Sequence, residues 1–339
     1  MLYKTIIQGN TEFGNQKSYD MAVKMYISRS ETYYKNDVLF GVEEIFFPKT
    51  LSLNIPRFVK QVYDKSYKNT AALLTYVVQF GISGELNVWL LDEGKILDFK
   101  NLEPTSDKVA VQQYIKGKSL VEQKGHEDEA MIALNKAIEK YDRHAQAYER
   151  RGRVNFLLKK DHDALRDYKK SLGLDPNNPY AYFGRSLVYG KQEKFQEALD
   201  DLQNTIRKSV ALQEIHWTAR KLKGKIHVSL EQFKEAEFEL KLFTNRKFNK
   251  ESSLTMHKRE AFFDYGLSLL ANKKYKEAII AFEQSLDLNE GYDKITAAQK
   301  LRYRGIAKQK AGQNGYIKDI KEAADLGDKE AAIMLKAIA

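Results

Sequence analysis

The 339-residue chain has no cysteine. That absence removes disulfides, zinc thiolate sites, iron–sulfur ligation and thiol nucleophiles together. No apolar run approaches the roughly 18 residues of a membrane-spanning helix, so no membrane insertion is expected. The opening MLYKTIIQGNTEFG has no basic start followed by an apolar stretch, and a cytoplasmic protein without a secretory signal is expected. Catalytic signatures are also missing. No G-x-S-x-G elbow, phosphate-binding glycine loop or H-E-x-x-H spacing occurs. The six histidines are scattered, and His126-Glu127-Asp128-Glu129 reads as a solvated turn rather than a metal cluster. Gly81 and Gly84 read as a helix stop and turn. Glu43 and Glu44, adjacent on an expected strand, would face opposite ways and cannot act as an acid/base pair. No catalytic residue, metal or cofactor is therefore expected.

What is present is unevenly placed charge. The net charge is +10, yet residues 1–104 hold 12 basic and 12 acidic residues, so all of the excess lies beyond them. A basic field draws anions, whether acidic peptide, nucleic acid or anionic lipid, without naming one.

The chain divides near Leu102–Val109, a polar stretch punctuated by Pro104, giving expected domains 1–104 and 109–339. The first is expected to be a small α+β domain. Leu2–Gln8, Asp20–Arg29 and Val38–Phe47 read as strands from their alternation and their β-branched and aromatic content. Leu86–Leu91 and Lys95–Lys100 flank Asp92-Glu93-Gly94 and read as a hairpin. Pro56 suits the first turn of a helix covering part of 57–82, with a break near Lys68-Asn69.

Beyond Val109 the chain repeats. Tyr148 and Tyr182, Ala164 and Ala198, Tyr168 and Leu202, and Leu172 and Ile206 each stand 34 residues apart. The frame extends back to Ala130, Leu134 and Ile138, and forward through Gly224 and Ala236, then Gly266, Ala278 and Phe282, to Gly305. These residues resemble the tetratricopeptide repeat (TPR) of the bacterial type, over about 109–339, with a large residue, Gly four later and Ala about twelve after that. The resemblance implies an all-α right-handed superhelix. About six helix pairs and a capping helix over Asp328–Ala339 are expected, the cap's apolar face made by Ala331, Met334, Leu335 and Ile338.

Ligands of such arrays commonly lie along the concave face, on helix A positions 2, 5, 6, 9, 12 and 13 of each repeat. Those positions fall on Gln146, Glu149, Arg150, Arg153 and Phe156, then Tyr180, Phe183, Leu187 and Lys191, then Thr218, Lys221 and Lys225. Arg and Lys beside Tyr and Phe suit an acidic protein or peptide segment with apolar anchors. The first repeats offer Tyr114, Lys118, Glu149 and Arg153 rather than the Lys and Asn of the chaperone-tail clamp. The expected function is thus a non-catalytic protein–protein interaction scaffold. Nucleic acid held by the basic repeat surface is the rival, and an enzyme sited in 1–104 the third reading.

Overall fold

The computed structural model describes residues 1–249, 251–288 and 294–338. Two compact units divide at Asn177/Asn178.

The first unit opens with a five-stranded antiparallel sheet in the order β2-β3-β1-β4-β5. Its strands are β1 (Leu2–Glu12), β2 (Phe46–Phe47), β3 (Ser52–Tyr63), β4 (Ser83–Asp92) and β5 (Lys95–Leu102). Helices α1 (Gln16–Ser28), the short α2 (Val42–Ile45) and α3 (Asp64–Val78) complete it, with a π-helical turn over Arg29–Tyr33. Tyr26, Tyr67, Leu73 and Val77 pack with Ile7, Leu53 and Val88 in one core. The β4–β5 hairpin forms where expected, with Glu93 and Gly94 at φ of 46° and 82° as a tight hairpin turn requires.

Three expectations for this region are corrected. Asp20–Arg29 is the body of α1, not a strand. Its buried residues Tyr19, Ala22 and Tyr26 recur at helical spacing, whereas Ile27 of the alternating set is exposed. Within Val38–Phe47, Glu44 turns its carboxylate back to accept the Gly41 N–H at 2.5 Å, so Val42–Ile45 turns helical and only Phe46–Phe47 pair as strand. Pro56 lies inside β3. Ile7 pairs with Phe58 and Gly9 with Ile55, so Pro56 and Arg57 bulge out opposite Gln8, where the missing proline N–H costs no ladder bond. The helix starts only at Asp64 and runs unbroken past Lys68-Asn69.

Helix pairs follow. The first unit holds α4 (Val109–Val121) with α5 (Glu127–Lys140), and α6 (Ala145–Leu157) with α7 (Asp161–Leu174). The second unit holds α8 (Pro179–Lys191) with α9 (Phe195–Lys208), and α10 (Glu214–Ser229) with α11 (Phe233–Asn245). After the short α12 (Ser253–Met256) come α13 (Lys258–Ala271) with α14 (Tyr275–Asp287), then α15 (Ala297–Lys310) with α16 (Tyr316–Asp325), and finally α17 (Lys329–Ile338). These are the six pairs and closing helix of the repeat frame. The irregular spacing near Gln213–His216 and Glu251–Lys258 corresponds to the long α10 and the inserted α12. Ala331 is buried and packs with Leu301 and Ile320, while Met334 and Leu335 pack against them; the side chain of Ile338, and Ala339, lie outside the described residues.

The repeat glycines set the spacing within pairs. A Cβ on Gly224 or Gly266 would come within 2.6 Å of Leu240 or Phe282, and one on Gly152 within 2.9 Å of Tyr168. Beside this apolar seam runs an ionic one. The residue before the small position of helix A bonds the residue before the large position of helix B: Arg151 to Asp167 at 2.6 and 2.9 Å, Arg185 to Asp201 at 2.7 and 2.8 Å, Lys223 to Glu239 at 2.8 Å, and Arg304 to Asp319 at 2.7 and 2.8 Å. Tyr265 and Ala281 take the two places in the fifth pair. These four basic residues thus neutralise carboxylates inside the repeats.

Candidate functional site

In the first unit, the predicted face meets the rim of the sheet. Gly84, at φ +104° where β4 crosses β1 closely, turns its N–H onto Gln146 Oε1 at 3.2 Å. A side chain on Gly84 would strike the Asn10 carbonyl, so this approach depends on glycine. Lys118 bonds Glu103 at 2.5 Å. Tyr141 donates to Glu12, which Arg143 also approaches at 3.8 Å. The Lys108 ammonium reaches the Phe80 and Gly81 carbonyls at 2.5 and 3.1 Å, which ties the connection between sheet and helices to the end of α3. Tyr114 is buried. Burial raises the pKa of Glu12 and that of Glu85; for Glu85, the neighbouring Glu103 adds to the effect.

Arg150 and Arg153 both turn to Glu122, just beyond the end of α4, at 3.2 Å and at 2.7 and 3.0 Å. Arg153 retains 41% of its side-chain exposure, but Arg150 only 14%, far from the open groove position that its place in the repeat suggests. Glu149 is buried beside Arg150 at 3.2 Å; desolvation raises its pKa against the pull of Arg150 and Arg153. Phe156 is half-buried.

In the second unit, Tyr180 and Leu187 on α8 are half-buried, Lys191 is exposed, and Phe183 leans on the core between α9 and α10 with Leu222. Thr218 donates to the Glu214 carbonyl at 3.0 Å, within its own helix. Lys221 and Lys225, one turn apart on α10, both bond Glu260 of α13, Lys225 at 2.5 Å. Burial alone would raise the Glu260 pKa, and the two ammonium groups outweigh it, so the carboxyl titrates below its usual range. Here a buried carboxylate sits between two lysines on the face formed by the first helices of the pairs.

Sequence reasoning missed the acidic partners. Glu260 occupies position 2 of its own repeat, so extending the frame to α13 would have found it. Glu122 occupies position 13 of the first repeat, so the same frame reaches it as well, whereas Glu12, Gly84 and Glu103 come from the sheet and its end, with no local signal linking them to the helices.

Small residues holding paired helices together in repeated succession define a helical-repeat protein. Residues 120–179 and 260–292 match the tetratricopeptide repeat. The chain thus carries tetratricopeptide repeats over those residues. It is 40% identical over 63 residues to sperm-associated antigen 1 of Mus musculus, covering 19% of this chain and 7% of that one. It is 29% identical over 127 residues to neutrophil cytosol factor 2 of Mus musculus, covering 34% and 24%. The chain therefore spans less than a quarter of the length of these relatives. Among solved structures, YrrB, described as a TPR protein with an unusual peptide-binding site, aligns over 60% of this chain and 98% of its own at 24% identity and a TM-score of 0.52. Pseudomonas aeruginosa PilF aligns over 69% and 99% at 14% identity, also at 0.52. These likenesses concern the fold. Stacked repeats of this kind present extended concave surfaces of the sort used for binding. Among the described residues, no helix is long and apolar enough to cross a membrane.

Proposed function

We propose that the chain is a non-catalytic scaffold of the cytoplasm whose second unit holds a protein segment combining a carboxylate with apolar or aromatic anchors. The observation that supports this reading is the Lys221–Glu260–Lys225 cluster, in which the face already holds one carboxylate between two ammonium groups. An incoming Asp or Glu finds the same chemistry there, and Tyr180 and Leu187 supply the apolar contacts. Phe183, packed on the core, supports the face. Lys191, exposed at the end of α8, extends the basic character at a predicted position. Charge-assisted bonds fix such a segment's register while buried anchors supply most of its affinity.

The test is selection from a displayed peptide library, with single-stranded nucleic acid offered in the same buffer. Selected peptides should share an acidic residue beside an aromatic one, and Lys225→Gln should weaken their binding at least tenfold with helix content retained. Strongly salt-dependent binding of many nucleic-acid sequences, with no peptide selected, would overturn the reading.

A further inference from the structure

We propose that β5 pairs antiparallel with β5 of a second copy of this chain, centred on Phe99, joining two five-stranded sheets into one. β5 is an edge strand: among the described residues it has β4 on one side and no strand on the other. Such an edge offers a row of backbone donors and acceptors to any strand that fits. Three of its apolar side chains stay exposed between its charges, Ile96 and Phe99 at 48% and Leu97 at 53%. Phe99 stacks on Trp89 of the neighbouring strand with ring centres 5.3 Å apart, which holds its ring on the face of the sheet away from α1 and α3.

The occupant follows from the order of charges in Lys95-Ile96-Leu97-Asp98-Phe99-Lys100-Asn101-Leu102. With Phe99 of one chain opposite Phe99 of the other, Asp98 of each falls opposite Lys100 of its partner. The symmetry makes that attraction twice, and Ile96 falls opposite Leu102. Centring the pair on Asp98 or on Lys100 instead sets like charges face to face. Centring it between Phe99 and either neighbour leaves both charges opposite uncharged side chains. Lys95 would meet Glu103 in the favoured register, but Glu103 is committed to Lys118 and adds nothing. The register between β4 and β5 shifts at Leu97, where Leu90 pairs with Asp98 and Leu91 with Ile96, so the regular stretch is short and the association depends on concentration.

Light scattering of the full chain over a dilution series tests this. The parent mass should rise from the 39.2 kDa of one chain toward twice that on concentration. Asp98→Lys and Lys100→Asp should each remain single chains, because each sets like charges opposite one another. An equal mixture of the two should regain the doubled mass, since the two lysines flanking Phe99 in one chain then face the two aspartates flanking it in the other. A parent that stays single at every concentration, variants that double as the parent does, or a mixture that stays single would each overturn the proposal. Asp98 also accepts the Tyr67 hydroxyl at 3.0 Å. Should Asp98→Lys fail to fold, Phe99→Glu and Phe99→Lys replace the pair, each single alone and doubled together.

Discussion

The two units carry the same repeat but differ in what meets the helix-face positions that the repeat frame singles out. In the first, Tyr114, Lys118 and Gln146 are occupied by contacts within the unit, two of them to the sheet, and Arg150 and Arg153 close on Glu122. In the second, Lys221 and Lys225 close on Glu260 of a later repeat, with Tyr180, Leu187 and Lys191 partly or fully exposed on α8. A repeat frame specifies which side chains share a helix face. It does not specify what covers that face, because the cover comes from distant segments whose own sequence carries no mark of the contact.

The strongest way to break the comparison is to collapse one unit and watch the other. Ala198 is fully buried between α8 and α9, so Ala198→Glu adds an unpaired charge and excess volume there and should cost more than about 4 kcal/mol. The chain has two tryptophans, Trp89 in the sheet and Trp217 in α10. Trp217 fluorescence should report unfolding while Trp89 keeps its native emission; simultaneous loss of both would make the units one cooperative block. Next in size is the ionic seam. Asp201→Ala strands Arg185 and should cost about 3 kcal/mol, whereas Arg185→Tyr with Asp201→Ala copies the fifth pair and should recover most of that loss in a denaturant titration.

Smaller effects separate the units by pH. His144 is buried at the start of α6, accepting the Ala147 N–H at 3.3 Å, and desolvation holds its pKa down to about 3. A histidine with a depressed folded pKa contributes full stability above its unfolded value near 6.5 and loses it as pH falls. The first unit should therefore lose about 2 kcal/mol from this group between pH 7 and 5. Carboxylates with raised pKa in the same unit, Glu12, Glu85 and Glu149, act in the opposite direction, so the measurement is the difference in Trp89-monitored stability between parent and His144→Asn across that range. The parent should lose more than the variant. The smallest effect is local strain. Lys273 closes the turn between α13 and α14 at φ +62°, and Gly312, at +66°, holds the matching place between α15 and α16. Lys273→Gly should raise the second unit's melting temperature slightly, with a gain below about 1 kcal/mol.

Local signals proved legible and long-range ones did not. Glu93-Gly94 determines a hairpin within a few residues, and small and large residues 34 apart determine the helix pairs, so both could be read directly. Alternation in α1 misled because Val23, Met25 and Ile27 lie on the half-covered and exposed sides of a helix whose Tyr19, Ala22 and Tyr26 do the packing. Pro56 misled because a bulge, visible only once β1 and β3 are paired, removes its cost. The ionic seam was legible but hidden by counting net charge, since Arg151 and Arg185 repeat at the same interval as the tyrosines. The frame singled out Lys221 and Lys225, while their partner Glu260 required applying that frame one repeat further.

The difference between the two faces is tested most directly by measuring the same library-selected acidic peptide against two charge-reversed chains. One carries Lys221→Glu with Lys225→Glu, the other Arg150→Glu with Arg153→Glu, and both are checked for unchanged helix content. Loss of binding in the first with retention in the second is the predicted result. Equal loss in both would contradict it, because a diffuse basic field rather than the Lys221–Lys225 face of the second unit would then be holding the peptide.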